Sequence, residues 1–172
     1  MARTLTGYIR DIPDFPKKGI LFRDITPLLR DARTLKRAMA ELAGQVKRKK
    51  IDAVVGVESR GFIFGAPLAL SLGAGFVPVR KPGKLPFATF KQRCSLEYGV
   101  TDLEIHTDAL RKGERVLIAD DLLATGGTAA GVVKLCRRLG AKVVGISVLV
   151  ELTALKGRRL LPGIPVYSLI RY

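Results

Sequence analysis

Short apolar segments alternate with helix-like segments along most of the chain. The apolar segments are rich in β-branched residues and bounded by glycine or charge: 52–58, 75–80, 115–120 and 142–151. Runs of this length and composition predict strands that are buried on both faces of a sheet. Between them, 64–72 and 128–139 predict helices, the second ending with two arginines before Gly140. Strand and helix in alternation predict an α/β fold with a parallel sheet.

A further helix is predicted upstream of the first strand. Leu35, Met39, Leu42 and Val46 recur at helical spacing, which places them on one apolar stripe of a helix. Basic residues occupy the opposite side of the same helix. We therefore expect this helix to cover one face of the sheet.

Residues 81–102 interrupt the alternation of strands and helices. The segment contains Pro82, Gly83 and Pro86 and ends in a polar stretch. It is too long for an ordinary connection in a compact domain, so we interpret it as a functional loop.

Composition narrows the class of protein. The chain has 172 residues, which is the size of one domain that can bury its own core. It carries 30 lysines and arginines against 15 acids, a net charge of +15, which favours binding of polyanions or phosphorylated small molecules. Cys94, Cys136 and His106 are the only cysteines and histidine, too few for a zinc site. This cysteine usage indicates a reducing compartment, and we expect a cytoplasmic protein.

Residues 62–79 form an uncharged stretch that is long enough to be tested as a membrane span. Glycine, proline and serine interrupt it repeatedly, so it predicts a buried helix that leads into a strand. The charged N-terminal residues show no secretory signal. We therefore expect no membrane partner.

The most informative local pattern is the segment 116–128. An apolar strand leads to two adjacent acids and a loop of small residues that opens a helix: Asp120, Asp121, Ala124, Thr125, Gly126, Gly127 and Thr128. Backbone N–H groups of this loop can hold a phosphate at the positive end of the helix, and the glycines allow close approach. The acids can accept hydrogen bonds from vicinal hydroxyls. The glycine pair alone would indicate only a tight turn, but the whole pattern favours a phosphorylated-sugar site.

This segment resembles the phosphoribosyl pyrophosphate binding motif of the type I phosphoribosyltransferases, and its residues are similar to those of family members that act on adenine. The resemblance continues through further segments in the same order: 15–24, 58–62, 80–86, 95–99 and 150–157. It therefore extends over nearly the whole chain, and several spaced motifs are more specific than any one of them.

The resemblance implies an α/β, type I phosphoribosyltransferase-like fold, with a twisted, mainly parallel sheet flanked by helices. It implies a single domain, 1–172, that includes a small base-binding hood from about 1–30 and 150–172 and a flexible lid loop at about 81–102. A homodimer is expected on the same ground.

The resemblance also implies which residues bind phosphoribosyl pyrophosphate. The 5′-phosphate is expected on Ala124, Thr125, Gly126, Gly127 and Thr128, and the ribose hydroxyls on Asp120 and Asp121. The pyrophosphate is expected on Glu58, Ser59 and Arg60, in a turn with a cis peptide bond at either 58–59 or 59–60. Further positive charge comes from Arg80, Lys81 and Lys84. For these three and for Arg60, a solvated surface side chain is the alternative.

The same resemblance places the purine against Leu21, Phe22, Arg23 and Leu152. Arg23 either stacks on the base or forms a structural pair with Asp24. Related enzymes for xanthine or for hypoxanthine and guanine share the sugar-phosphate motif, so another purine stays an alternative substrate.

The implied reaction is a purine-salvage step: the phosphoribosyl group moves from phosphoribosyl pyrophosphate to adenine and gives AMP and pyrophosphate. Glu97, in the lid segment, is the candidate general acid or base for the imidazole-ring proton of adenine, and an exposed loop acid is the alternative. Mg²⁺ is expected as cofactor, held mainly through the substrate, with no direct protein ligand assigned. His106 is interpreted as an ordinary half-buried residue, and Cys94 and Cys136 as packing or surface residues.

A different class of function is a nucleic-acid-binding regulator built on the same fold. The basic runs 47–50 and 137–138 and the net charge favour it. Against it, 172 residues leave no room for an added DNA-binding domain, and aromatic residues make up only 6% of the chain, which offers little stacking surface. We therefore expect no specific nucleic-acid partner.

Overall fold

The computed structural model describes residues 4–96 and 99–172. The chain forms two compact units, one ending at Glu41 and the other beginning at Leu42. The first unit contains a 3-10 turn Leu5–Tyr8, strands β1 (Arg10–Pro13) and β2 (Leu21–Asp24), helix α1 (Thr26–Arg30) and the start of helix α2 (Ala32–Val46). Strands β1 and β2 form an antiparallel pair.

The second unit contains the four predicted strands and the two helices predicted between them, and its described residues form three further strands. Its strands are β3 (Ala53–Val57), β4 (Gly75–Val79), β5 (Thr89–Leu96), β6 (Gly99–His106), β7 (Arg115–Leu123), β8 (Lys142–Glu151) and β9 (Val166–Arg171). Its helices are α3 (Arg60–Leu72) and α4 (Gly127–Arg138), and two 3-10 turns, Thr153–Leu155 and Gly157–Leu160, follow β8.

The central sheet has five strands in the order β4-β3-β7-β8-β9, and every neighbouring pair is parallel. The four predicted strands are confirmed as β3, β4, β7 and β8. The edge strand β9 was not predicted, because only two of its six residues are buried and it lacks a continuous apolar run. It lies within the segment 150–172 that the resemblance assigned to the hood.

Helices cover both faces of the sheet. Successive residues of a strand face opposite sides, and on one side Val55, Val57 and Ile118 share a buried core with Val132 and Leu135 of α4. On the other side α3 packs against β3, β7 and β4. The sheet is therefore buried on both faces, which explains the continuous apolar runs of its central strands.

The connections of two adjacent strands diverge at the middle of the sheet. Strand β3 leads through α3 to β4 on one side, and β7 leads through α4 to β8 on the other. β3 pairs with β7 only as far as Ala119, whereas β7 continues beside β8 to Leu123. A crevice forms at such a switch point, beyond the carboxyl ends of the strands, and ligands bind there in open α/β sheets.

The segment 81–102, interpreted from the sequence as a loop, is partly an antiparallel hairpin of β5 and β6. In β5, Phe90 and Gln92 are half-buried and Cys94 is buried, while Lys91, Arg93 and Ser95 are exposed. This alternation is that of a strand with one covered face, and its many polar residues hid it in the sequence. The hairpin packs on α4, where the Arg138 guanidinium lies 3.9 Å from the centre of the Phe90 ring.

Helix α2 is present as predicted, but its buried row differs from the predicted stripe. Leu42 and Val46 are buried, and the other buried positions are Thr34 and Ala38. Leu35 and Met39 are only half-buried. The buried positions recur every four residues, so the covered face lies slightly to one side of the predicted stripe.

The uncharged stretch 62–79 folds as predicted, with most of α3 followed by β4. Among the described residues, none of the helices combines the length and the apolar character needed to cross a membrane.

We predict that Gly131→Ala destabilises the protein, although alanine is the better helix former. Gly131 lies within α4, and a Cβ atom there would overlap the Sγ atom of Cys94 on β5. Crowding of this kind in a packed core typically costs about 1–3 kcal/mol. Calorimetric unfolding should therefore show a lower Tm than that of the unchanged protein.

Two variants test whether this overlap is the cause. Gly44→Ala, in α2, places a Cβ atom where no heavy atom lies within 4 Å, and it should stabilise the protein by about 0.5–1 kcal/mol. In a Cys94→Ala background the Sγ atom is missing, so the Gly131→Ala change should cost much less. An equal cost with and without Sγ would contradict the explanation.

Candidate active site

A cavity of about 250 Å³ lies at the switch point between β3 and β7. Its wall combines the turn after β3, the end of β7 and the first turn of α4, and its floor is apolar. The residues predicted to bind phosphoribosyl pyrophosphate that line it are Glu58, Ser59, Arg60, Asp120, Asp121, Ala124, Thr125, Gly126, Gly127 and Thr128. The structure therefore brings together segments that are about 60 residues apart in the sequence.

The two adjacent acids lie in the last residues of β7, just beyond the point where β3 leaves it. Asp120 is half-buried and Asp121 is buried, and the backbone N–H of Asp121 donates to Asp120 Oδ1 at 2.9 Å. The sequence placed only Asp120 in the strand, whereas the strand continues to Leu123. The backbone that carries both carboxylates is thus part of the sheet and not of a loop.

Arg60 supplies a positive charge to this pair. It is the first residue of α3, and its Nε atom lies 3.1 Å from Asp121 Oδ2. Burial, and next the Asp121 carboxylate, raises the pKa of Asp120 well above its ordinary value. Burial also raises the pKa of Asp121, and the Arg60 guanidinium opposes that shift. A buried acid pair with perturbed pKa values in a cleft is characteristic of a functional site.

The loop after β7 presents unpaired helix N–H groups to the cavity. Gly126 is the residue that precedes α4 and has φ +87°, a conformation that favours glycine. The first hydrogen bond of the helix runs from Ala130 N–H to the Gly126 carbonyl at 2.9 Å. The N–H groups before Ala130 have no partner within the helix and carry its partial positive charge. This arrangement suits a phosphate group.

Gly127 lies close to the hairpin. The sequence predicted close approach of the backbone to a phosphate at this glycine, and that role stays a prediction. A Cβ atom at Gly127 would also overlap the carbonyl oxygen of Ser95 on β5. The hairpin therefore requires a glycine at this position.

Glu58 binds an arginine with its carboxylate. Arg80 donates from Nε to Glu58 Oε2 at 3.1 Å and from Nη2 to Oε1 at 3.3 Å, and the Lys81 N–H donates to the same Oε2 at 3.1 Å. Arg80 Nη1 also donates to the Lys84 carbonyl at 3.1 Å. The hydrogen bonds from Arg80 lower the pKa of Glu58. The peptide bond between Glu58 and Ser59 is cis, the first of the two positions expected from the resemblance.

The residues expected to contact a purine fall in different units. In the first unit, Leu21 is exposed and Phe22 and Arg23 are half-buried on β2. Arg23 Nη1 forms an ion pair with Asp11 across the β1–β2 pair. In the second unit, Leu152 follows β8, and its N–H donates to the Leu123 carbonyl at 2.9 Å.

Three further sequence-based assignments concern the hairpin and α4. Glu97 lies outside the described residues. His106 is half-buried at the end of β6, as expected. Cys94 and Cys136 are both buried free thiols and therefore packing residues.

Two features in and around the cavity were not predicted from the sequence. The apolar floor is formed by Ile118, Ile146 and Val148, which only their place in core strands could have indicated. Gly157, which carried no chemistry in the sequence, lies in backbone contact with Gly126. No local pattern predicts a contact over so many residues.

The donors in the cavity are compatible with a magnesium ion that is shared with a ligand. Within residues 4–96 and 99–172, no cluster of three or more His, Cys, Asp or Glu side chains is arranged to hold a metal. Asp120 and Asp121 provide two adjacent carboxylates, hard oxygen donors of the kind that Mg²⁺ prefers. Mg²⁺ usually keeps several waters and takes further ligands from phosphates, so one or two carboxylates are sufficient.

Comparison with known proteins gives the same picture along nearly the whole chain. Residues 28–163 match the family model described as the phosphoribosyl transferase domain. An adenine phosphoribosyltransferase from Geobacter metallireducens is 59% identical over 168 residues, which cover 98% of each chain.

Solved structures are equally similar in fold. The adenine phosphoribosyltransferase of Thermoanaerobacter pseudethanolicus has a TM-score of 0.95 and 53% identity over 98% of each chain. The enzyme of that name from Saccharomyces cerevisiae, complexed with adenine and an imino-altritol bisphosphate, has a TM-score of 0.89 and 42% identity over 95% of each chain. The expected fold is confirmed, and the chain belongs to the phosphoribosyltransferase family, with the type I fold.

Proposed function

We propose that this protein transfers the phosphoribosyl group from phosphoribosyl pyrophosphate to adenine and so forms AMP and pyrophosphate, a purine-salvage step. The observation that carries the proposal is the single cavity in which an acid pair, a phosphate-binding loop and Arg60 meet. Relatives that are 59% and 53% identical over 98% of the chain are named adenine phosphoribosyltransferases. Adenine is therefore preferred over xanthine, hypoxanthine and guanine as the acceptor.

The cavity has separate places for the parts of the sugar phosphate. The N–H groups of the loop 124–128 bind the 5′-phosphate at the start of α4. Asp120 and Asp121 accept hydrogen bonds from the vicinal ribose hydroxyls, because both carboxylates lie at the carboxyl end of β7. Fixing both ends of the sugar holds the anomeric carbon in one position for attack.

We assign the pyrophosphate to positive groups in and near the cavity. Arg60 and the N–H groups of the turn at Ser59 border the cavity beside the acid pair. Glu58 holds the Arg80 guanidinium with two hydrogen bonds, so we assign Glu58 the role of orienting Arg80, while Lys81 and Lys84 add further positive charge. Cations at the departing group stabilise the charge that develops as the C–O bond breaks.

Mg²⁺ is the proposed cofactor. Asp120 and Asp121 would hold it through their carboxylates or through ribose hydroxyls and water, with most ligands supplied by the substrate. When bound, the ion neutralises charge on the pyrophosphate and orients the leaving group.

The base and the proton complete the reaction. We place adenine against Leu21, Phe22, Arg23 and Leu152; the S. cerevisiae relative was solved with adenine bound. One imidazole nitrogen of adenine forms the bond to the anomeric carbon as the bond to pyrophosphate breaks, and the other ring nitrogen loses its proton. We propose Glu97 as the group that handles this proton.

Two further features belong to the proposal. A homodimer is supported by one face of α3, where Ile63, Pro67 and Leu70 are exposed at helical spacing and Leu70 is 84% exposed. A cytoplasmic location is supported by two free buried thiols and a phosphorylated substrate. Neither a membrane nor a specific nucleic acid is proposed as a partner.

The decisive experiment offers adenine, hypoxanthine, guanine and xanthine in parallel with phosphoribosyl pyrophosphate and Mg²⁺. We expect AMP and pyrophosphate from adenine at a kcat/KM at least about tenfold higher than that for any other base, because a misfitting ring leaves polar groups unpaired. Product chromatography identifies the nucleotide. Equal or faster turnover of a 6-oxopurine would contradict adenine as the substrate.

We predict that Asp120→Asn stabilises the free protein and weakens substrate binding. The folded-state pKa of Asp120 is raised by burial and by Asp121, so its ionised form costs stability above that pKa, and the cost disappears as the pH falls through it. Asparagine removes the charge and keeps a side-chain oxygen. The Tm at pH 7 should therefore rise, while the KM for phosphoribosyl pyrophosphate increases.

The pH dependence checks the cause of this stabilisation. The difference in Tm between Asp120→Asn and the unchanged protein should shrink as the pH is lowered, because the natural carboxyl group becomes neutral as well. Asp108→Asn, at an exposed position, is the matched control and should leave both Tm and KM unchanged. A lower Tm for Asp120→Asn at pH 7 would show that the ionised acid pair does not destabilise the folded protein.

We predict that Glu97→Gln slows the chemical step by roughly 10²–10⁴-fold, because glutamine keeps the size of the side chain but cannot transfer a proton. The affinity for phosphoribosyl pyrophosphate should change much less, since the loop 124–128 and the acid pair remain. Single-turnover kinetics isolate chemistry from product release. A single-turnover rate within about twofold of the unchanged protein would remove Glu97 from the mechanism.

A further inference from the structure

The phosphate-binding loop rests on a second glycine that is far away in the sequence. A Cβ atom at Gly126 would overlap the carbonyl oxygen of Gly157, and a Cβ atom at Gly157 would overlap that of Ala124. Gly157 is buried, while Lys156 and Arg158 beside it are exposed. The two backbones therefore touch directly, and a displacement of Gly157 must move the loop.

Arg158, the next residue, is anchored by a carboxylate. Its Nε atom donates to Glu151 Oε1 at 2.6 Å and its Nη2 atom donates to Oε2 at 2.7 Å. Two parallel hydrogen bonds between a guanidinium and a carboxylate fix direction as well as distance. The position of the turn Gly157–Leu160 is therefore tied to the last residue of β8.

Glu151 is itself held from the edge strand β9. Ser168 Oγ donates to Glu151 Oε2 at 2.7 Å, and Arg171 Nε lies 3.4 Å from the same oxygen. The Glu151 side chain is only 6% exposed. The hydrogen bonds from Arg158 lower the pKa of Glu151 to about 2, so the carboxylate stays ionised at neutral pH.

Glu151 also lies beside the start of the loop in the central sheet. Glu151 is paired with Leu123 across β7 and β8, and Leu123 precedes Ala124. The loop is thus bounded by β7 at its start and by Gly157 beneath it, and Glu151 connects the two.

We infer that Glu151 is a positioning residue for the 5′-phosphate: through Arg158 it presses Gly157 against the loop 124–128 and so sets the direction of the N–H groups there. This inference rests on the proposed function only for the identity of the sugar phosphate. Arg158 is assigned to the same clamp and not to the substrate.

The inference leads to a specific kinetic signature. The 5′-phosphate is bound in the ground state and in the transition state, so weaker contacts to it should raise the KM for phosphoribosyl pyrophosphate much more than they lower kcat. We expect Glu151→Gln to raise the KM for phosphoribosyl pyrophosphate by about tenfold, with kcat and the KM for adenine within about twofold. Glutamine presents one oxygen and cannot accept both bonds from Arg158.

Direct binding separates the phosphate subsite from the pyrophosphate subsite. Calorimetric titration with ribose 5-phosphate should show about tenfold weaker binding to Glu151→Gln, whereas titration with pyrophosphate should show no change beyond twofold. Glu41→Gln is the matched control, because Glu41 also pairs with an arginine, Arg37, at 2.7 Å but on an exposed helix face. It should change neither titration.

Two additional variants keep the test decisive if Glu151→Gln does not fold. Arg158→Lys keeps the positive charge but cannot donate the two parallel hydrogen bonds of a guanidinium. Gly157→Ala adds the Cβ atom that would overlap the Ala124 carbonyl. Both should reproduce the selective loss of ribose 5-phosphate binding. A lower Tm with unchanged affinity for ribose 5-phosphate in the folded variants would overturn the inference and leave Glu151 a structural residue.

The outcomes also separate this inference from the proposed function. If the unchanged protein makes no AMP from adenine but the variants lose ribose 5-phosphate binding, the reaction is wrong and the positioning role stands. If AMP forms and the variants bind ribose 5-phosphate as the unchanged protein does, the positioning role is wrong and the reaction stands. No binding of ribose 5-phosphate by the unchanged protein would overturn the positioning role.

Discussion

The divergence of β3 and β7 is the constraint on which the site depends. Parallel strands need crossover connections, and these two neighbours send theirs in opposite directions along the sheet. The hydrogen bonds between them therefore stop at Ala119, while β7 continues to Leu123. The acid pair, the turn after β3 and the start of α4 meet in the gap that results. The strand order alone therefore produces the crevice, and the side chains that line it determine which ligand can bind.

Close backbone contacts hold the parts of the crevice in register. The loop before α4 lies against Gly157, and the hairpin backbone lies against α4 at Gly127. Backbone in contact with backbone leaves no flexible side chain that could absorb a displacement. The loop is therefore held on one side by the hairpin and on the other by the turns after β8. The precise direction of its N–H groups follows from these contacts.

The charges of the site are arranged at a cost to the folded protein. Burial raises the pKa of both Asp120 and Asp121, and the Arg60 guanidinium, 3.1 Å from Asp121 Oδ2, opposes the shift of each. An ionised pair in this position is useful when a ligand supplies hydroxyl groups or a cation, and it is unfavourable without one. By contrast, Glu151 and Glu58 are satisfied by arginines, and their pKa values are lowered. The acids with raised pKa values thus line the proposed substrate cavity, whereas Glu151 and Glu58, which are paired with arginines, hold neighbouring segments in position.

Local patterns predicted the central strands, the helices between them, the phosphate-loop motif and the family: a continuous apolar run, helical spacing, or two acids before small residues. They did not predict the hairpin of β5 and β6, the edge strand β9, the ion pair of Arg23 with Asp11 or the contact of Gly157 with the loop. In those cases the deciding neighbour lies elsewhere in the chain: α4 for the hairpin, β8 for β9, Asp11 for Arg23 and Gly126 for Gly157. Local patterns report what a residue prefers, whereas long-range packing decides what it touches, so only the tertiary structure could settle these points.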